Sequence, residues 1–290
     1  MPSVPDIVEL CETAGKLNQD RRQDMKRTKG YANGEFGQIH YLTCGEGAPL
    51  ILQHQSPTSM VQFDKVIPLL AAEGIQAITI DLPGYGGSDG PDHVPTIAEY
   101  AHIVPAVLDH LGIEKVDLLG HHTGAICATE VLLQYPERVD RIILNGPFPL
   151  TDEERAVFTE HLGKEREWVP REDGSHLTEQ WSFRMAAQPG WTDLDAIHRH
   201  VVQAAAAWPN AWYAHDAVMK YDHGAAIMKI QHPCLLFSNT GDSIHHIAER
   251  AREMRPDFDY VEIQGGTFDI IDEQPEAWTR VVVNWLKGTN

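Results

Sequence analysis

Short, nearly unbroken apolar runs recur along the chain: PLILQH at 49–54, QAITID at 76–81, KVDLLG at 115–120, RIILNG at 141–146, HPCLLFSN at 232–239 and DYVEIQG at 259–265. Strands that read as continuous hydrophobic segments are those covered on both faces, as in a parallel sheet. Between them, Thr96–Leu111 and Gly124–Tyr135 carry helical periodicity. Strand, turn and helix therefore repeat in the manner of a doubly wound α/β domain. Ahead of the first run, Gly30 to Cys44 alternates apolar and polar positions around Gly34 and Gly37, which predicts a β-hairpin. One stretch breaks the rhythm. Thr151 to about Ala226 has no strand candidate and is amphipathic and Trp-rich, which predicts a helical cap inserted between two core strands. Residues 6–29 place Ile7, Leu10, Ala14 and Leu17 on one face and end in basic residues, the pattern of an added helical arm. The expected organisation is an arm over 1–29, a core over 30–150 and 227–290, and a cap over 151–226.

Composition narrows the partners. The chain has 290 residues with 42 acidic against 23 basic side chains, a formal charge of -19. Such a surface repels phosphate backbones and anionic lipid, so neither nucleic acid nor a membrane surface is an expected partner. No apolar run reaches the length of a membrane span. The cysteines at 11, 44, 127 and 234 form no CxxC pair and are too scattered for a disulfide framework, which points to a reducing cytoplasm. The N-terminus carries its basic residues after a short apolar stretch, the reverse of a secretory signal. A homodimer is compatible with the chain, and the expected ligand is a small-molecule substrate. No GxGxxG follows a first strand and no P-loop is present, so no cofactor is expected.

Ligands of open α/β sheets bind outside the carboxyl ends of the strands. The most informative residues there are LLGHHTGA at 118–125, an apolar strand that ends in Gly-x-x-x-Gly and turns into a helix. Glycines two residues to either side permit the sharp turn that lifts the central side chain above the sheet, as in a nucleophile elbow. The lifted residue is His122. Together with LILQHQSP at 50–57, DLPGYGGSD at 81–89, YPERVDRIIL at 135–144, GDSI at 241–244 and EQPEAW at 273–278, this motif resembles the α/β-hydrolase superfamily from about Gly30 to Trp285. The pair HQSP and GHHTGA resembles a bacterial GHHTG-type branch with His at the nucleophile position. The resemblance implies an α/β-hydrolase fold, a mostly parallel doubly wound sheet with an inserted helical cap. Fold alone does not specify the reaction.

The departures are informative. The superfamily usually shows Ser, Asp or Cys at the elbow, an acid after the strand matching PCLLFSN, and a His about five residues before a segment like EQPE. The acid is present as Asp242, whereas an ungapped reading of IQGGTF puts Phe268 at the position of the His. On this reading two members of a Ser-His-Asp triad are missing. An imidazole is longer than a hydroxymethyl group, so His122 is expected to reach into the vacated volume with its second nitrogen near Asp242. A carboxylate there would set the tautomer and raise basicity, suiting His122 to general-base work on water or on a proton α to a carbonyl, or to nucleophilic attack. The N–H groups of Thr123 and Ser56 are expected to form an anion-stabilising nest. Gln55 either adds its amide to the pocket or points to solvent. His54 is a candidate pocket residue whose alternative is a structural histidine bonded to backbone. Phe268 would make the pocket apolar, and Trp212, with Trp208, Tyr213 and His215, either lines a lid or forms the cap's own core. Asp81 reads as a turn-stabilising acid. Histidine is abundant at 16 residues, but no metal-ligand spacing such as HExxH occurs, so no metal is expected.

These residues point to a cofactor-independent, hydrolase-like enzyme acting on a small apolar carbonyl compound such as an ester, lactone, amide or β-diketone. The alternatives are a lyase or decarboxylase using the same His, and a catalytically inactive small-molecule-binding pseudoenzyme.

Overall fold

The computed structural model describes residues 26–188, 190–191 and 193–289. Its strands are β1 (Arg27–Gly34), β2 (Gly37–Cys44), β3 (Ala48–Gln53), β4 (Ile75–Ile80), β5 (Val116–His121), β6 (Val139–Asn145), β7 (Cys234–Asn239) and β8 (Asp259–Ile263). They form one sheet of 8 strands in the order β1-β2-β4-β3-β5-β6-β7-β8. The β1/β2 and β2/β4 pairs are antiparallel, and every pair from β4/β3 to β7/β8 is parallel. The helices are α1 (Ile67–Ala72), α2 (Ile97–Ala101), α3 (Ile103–Leu111), α4 (Thr123–Gln134), α5 (Asp152–Gly163), α6 (Ser175–Ala186), α7 (Leu194–Ala206), α8 (Tyr213–Lys220), α9 (His223–Ile227), α10 (His245–Met254), α11 (Ile270–Glu273) and α12 (Pro275–Lys287). This is the α/β-hydrolase fold. No helix among the described residues is long and apolar enough to cross a membrane.

The apolar runs hide a period of two. Ile51, Leu118, Ile142, Leu144 and Leu236 point into a core shared with α2, α3 and α4, while Leu50, Leu52, Leu119, Ile143, Leu235 and Phe237 point into a second core shared with α1 and α12. Both faces are covered, so neither alternate position needs to be polar. The first core also takes in Ala214, Ala217, Val218 and Met219 of α8, which fastens the helical segment between β6 and β7 to the sheet. Tyr85, in the turn after β4, adds a polar tie, its hydroxyl donating to the Ala211 carbonyl at 2.9 Å and accepting from Ala214 N–H at 3.0 Å.

Two expectations shift. Residues 1–25 of the expected arm lie outside the described residues, but Arg27, Thr28 and Lys29 run in β1, opposite Cys44, Thr43 and Leu42. Cross-strand pairing with β2 satisfies their backbone groups, a non-local gain that local periodicity does not register. The helix expected over Thr96–Leu111 is two helices that meet at His102. Thr96 and Glu99 form a reciprocal capping box at the start, and Gly112, left-handed at φ 68°, closes the end. Between β6 and β7 the described residues contain helices and turns with no strand.

Candidate active site

The turn between β5 and α4 holds His122 at φ 49° and ψ −111°, the one non-glycine residue with positive φ among those described. Such backbone costs on the order of 1–3 kcal/mol and persists only where its surroundings enforce it. A Cβ at Gly120 would overlap the Gly124 backbone, and one at Gly124 would overlap the Gln53 carbonyl, so helix and strand approach to glycine distance on both sides of His122. Gly146, left-handed at φ +68°, makes room in another direction: a Cβ there would strike the His122 ring itself. The His122 N–H donates to the Asn145 carbonyl at 2.9 Å, and the Asn145 side chain accepts from Trp278 Nε1 at 2.8 Å.

His122 Nε2 stands 2.7 Å from Asp242 Oδ2. The Asp242 side chain is 1% exposed, and its other oxygen accepts the Ile244 N–H at 3.0 Å. A carboxylate so placed accepts a hydrogen bond from Nε2–H and leaves Nδ1 as the imidazole acceptor. Nδ1 has no hydrogen-bond partner among the described residues. Behind it, His121 is fully buried with its ring centroid 4.2 Å from that of His122. The Gln62 amide is oriented by accepting Gln55 N–H on Oε1, so its Nε2 donates to His121 Nδ1 at 2.7 Å. Burial first, and then the neighbouring positive groups, push His121 well below the ordinary histidine range, so it stays neutral beside His122.

Ser56 and Thr123 line the same cavity, with their hydroxyls 2.8 Å apart. Thr123 opens α4, so its N–H has no partner within the helix. Ser56 N–H donates to no group among the described residues. Both donors are therefore free for a ligand oxygen.

The remaining predicted residues separate. Gln55 reaches the cavity wall, but its amide donates to Asp269 Oδ1 at 2.8 Å, so it neither points to solvent nor offers that N–H to a ligand. His54 does not line the cavity. It is fully buried, with Nδ1 donating to the Gln55 carbonyl at 2.7 Å and Nε2 accepting Leu82 N–H at 2.9 Å, so both nitrogens are used by backbone. Burial lowers its pKa against the pull of Asp81. Phe268 is in the wall, with the Arg184 guanidinium 4.5 Å above its ring. Trp212 lines a neighbouring cavity of about 90 Å³, stacked by Arg166 and edge-on to Tyr213, because α8 turns its other face to His122. Asp81 accepts from Met60 and Gly87 N–H and pairs with His40 at 2.8 Å, holding the turn. The described residues bring His245, Glu249 and Glu262 within metal-ligand spacing, but none of the three lines the His122 cavity.

That cavity has a volume of about 260 Å³. Its far side comes from the segment between β6 and β7 in three sets: Phe158, His161, Leu162 and Glu165; Phe183, Arg184 and Ala187; His215, Val218 and Met219. Each set follows the three- and four-residue spacing of a helix face, a signal present in the sequence and not used there. What spacing could not reveal is the seam behind them. Fully buried Asp269 receives Arg184, Gln188 and Gln55, and Asp272 receives His200 at 2.9 Å and Arg199 at 3.0 Å. Burial alone would raise the Asp269 carboxyl, but Arg184, His200 and Gln188 hold it below its ordinary range.

Residues 48–274 match the family described as alpha/beta hydrolase fold. Among curated proteins, the chain is 36% identical to bifunctional epoxide hydrolase 2 of Mus musculus over 126 residues, 41% of this chain and 22% of that protein. It is 34% identical to 2-hydroxy-6-oxononadienedioate/2-hydroxy-6-oxononatrienedioate hydrolase of Klebsiella pneumoniae over 118 residues, 39% of this chain and 41% of the relative. The matched part thus spans between about a fifth and two fifths of these relatives' length. Among solved structures, an esterase from Exiguobacterium antarcticum superposes with a TM-score of 0.76 at 18% identity, covering 90% of this chain and 100% of that one.

Proposed function

Because the chain belongs to the alpha/beta hydrolase fold family, we propose that it is a cofactor-independent hydrolase of a small apolar carbonyl compound, an ester, lactone, amide or β-diketone, with His122 as its base. The observation that carries this reading is the 2.7 Å contact between His122 Nε2 and Asp242 at the strained turn, on a ring that lines the cavity and whose Nδ1 has no partner among the described residues. The base removes a proton from water, the hydroxide adds to the carbonyl carbon, and the resulting oxyanion accepts the N–H groups of Ser56 and Thr123. Collapse of the adduct breaks the bond to the leaving group, which takes the proton from His122. Asp242 stabilises the imidazolium in between.

The same base could instead remove a proton α to a carbonyl, as a lyase does; the apolar wall of Phe148, Phe158, Phe183 and Phe268 favours this second use by limiting water. Mass-spectrometric turnover of a panel of esters, lactones, amides and β-diketones, wild type beside His122→Ala, identifies the bond attacked. Turnover that disappears in the variant supports the reading. Turnover that survives in it, or none in the wild type, overturns the reading, and a wild type that binds such compounds without converting them is a pseudoenzyme.

A further inference from the structure

Beside the His122 cavity lies a smaller chamber of about 50 Å³ that the reaction above leaves unused. Gln55, Ser56, Pro57, Glu165, Phe183 and Arg184 line both spaces, so the two share one wall. The other sides of the chamber come from Thr58, Trp168, Gln180, His200, Val201 and Ala204. A space of this size takes a small polar group or a few waters, not an aromatic ring.

The shared wall holds a buried carboxyl group with one oxygen unspent. The Glu165 side chain is 7% exposed, and its Oε2 is 2.7 Å from His215 Nδ1. Its Oε1 has no hydrogen-bond partner among the described residues. Whether the proton between Oε2 and Nδ1 sits on oxygen or on nitrogen, Oε1 is an acceptor. His215 also hydrogen-bonds the Ser56 backbone, so the Glu165 carboxyl group and the anion nest are held one imidazole ring apart. Two more polar atoms on residues of the chamber are buried without a partner, Gln180 Oε1 and Arg184 Nε. Buried polar groups left unpaired are costly, and a ligand that pairs them recovers that cost on binding.

These groups select the ligand. Acceptors on Glu165 and Gln180 beside a donor on Arg184 are complementary to a hydroxyl, which donates and accepts through one atom. An ammonium would meet the Arg184 guanidinium, a carboxylate would meet Glu165, and an apolar group would leave every one of these atoms unpaired. We propose that the chamber is a specificity site for a hydroxyl group of the substrate, which donates to Glu165 Oε1 while the carbonyl oxygen lies in the nest of Ser56 and Thr123. The inference rests on reading the His122 cavity as the site of carbonyl chemistry and narrows its substrate class. The substrate is a hydroxyketone or hydroxyester whose apolar body lies against the phenylalanine walls and whose two oxygens are about one ring width apart.

Binding of ketones that cannot be hydrolysed tests this without turnover. By calorimetric titration of the full-length protein, meta-hydroxyacetophenone is expected to bind about 10-fold more tightly than meta-fluoroacetophenone, which has nearly the same shape and no O–H. The preference should vanish in Glu165→Met. It should vanish also in Ala204→Leu, which fills the chamber from α7 at a position that does not line the main cavity, so the test survives if one variant fails to fold. The fluoro compound should still bind both variants. Equal affinities in the wild type, no binding of either ketone, or a preference that persists in a folded variant each overturns the proposal. Tighter binding of the cationic meta-(aminomethyl)acetophenone than of the hydroxy compound overturns the hydroxyl assignment. His122→Ala should keep the preference. An absent preference with turnover still dependent on His122 removes the chamber proposal alone, whereas turnover surviving in His122→Ala removes the reading of His122 and leaves the binding ratio unchanged.

Discussion

The floor and the far wall of the cavity are built by different physics. The floor, at the ends of β3, β5 and β7, places His122, Thr123, Ser56 and Asp242 by backbone sterics, with Gly120, Gly124 and Gly146 each standing where a side chain would collide. On the far wall, Arg184 is placed by buried ion pairs and hydrogen bonds, Arg184 and Gln188 to Asp269 with His200 and Arg199 to Asp272, while α8, which carries His215, packs through Ala214, Ala217 and Val218 into the first core. Steric placement fails abruptly when shape changes. Electrostatic placement fails when charge does, so a substitution that conserves volume can leave the floor whole and undo the wall.

The largest expected effect separates chemistry from architecture on the floor. Asp242→Asn keeps the shape but removes the charge beside His122 Nε2, and should lower kcat by about 10³-fold with little change in melting temperature. Near-normal kcat would detach Asp242 from the reaction. On the wall, Arg184→Gln leaves fully buried Asp269 without its nearest cation, and urea unfolding should show a loss of about 3–5 kcal/mol. A loss under about 1 kcal/mol would mean that this ion pair does not hold the wall.

Acid should act where wall and sheet join. His223 on α9 accepts Phe148 N–H on Nδ1 at 3.1 Å and lies 3.0 Å from Thr129 Oγ1 through Nε2. Burial moves it down from 6.5 to about 3. Because the folded value lies below the unfolded one, its contribution is whole above pH 6.5 and declines as pH falls toward about 3, at up to about 1.4 kcal/mol per pH unit. His54 adds to the slope in the same direction, whereas Asp269, lowered from 3.8, acts only in more acidic solution. Denaturation at pH 7, 5 and 4 should give a shallower slope for His223→Asn; an unchanged slope would place the acid sensitivity elsewhere.

Gly146→Ala forces a Cβ against the His122 ring at a left-handed position, with an expected cost of about 1–3 kcal/mol and a fall in kcat larger than in Asn145→Ala, which leaves that space open. Equal falls would show that the gap beside the ring is not what Gly146 supplies. The smallest effect is expected from Trp212→Ala, whose side chain lies in the neighbouring cavity: turnover should change by less than about twofold, and a tenfold loss would join the two cavities.

The apolar runs correspond one for one to the parallel strands β3 to β8; β3 to β7 are apolar at consecutive positions because they are covered on both faces, while edge strand β8, with Asp259 exposed and only Ile263 buried, leaves a weaker trace. His122 was legible for a related reason. Glycines spaced about one residue report a backbone collision that no other residue type relieves, and such a collision is local. The hairpin was legible except at its start, where the pairing of Arg27–Lys29 with β2 depends on a partner strand. Trp212 and Gln55 were not legible, since helical spacing identifies a face without saying what the face meets, and an amide is as well satisfied by Asp269 as by water.

The chain by itself determined the order of strands and helices, the strained turn and the identity of the residue it lifts, because these depend on steric and hydrophobic terms between near neighbours in sequence. The meeting of His122 with Asp242 across 120 positions was expected from the resemblance and lies at 2.7 Å, whereas only the tertiary structure decided that Glu165 meets His215 across 50 and that Asp269 is covered by Arg184 across 85. Those contacts join charged groups from separate elements. A charge in sequence carries no mark of its partner, and only the packing that excludes water from the pair makes the interaction strong.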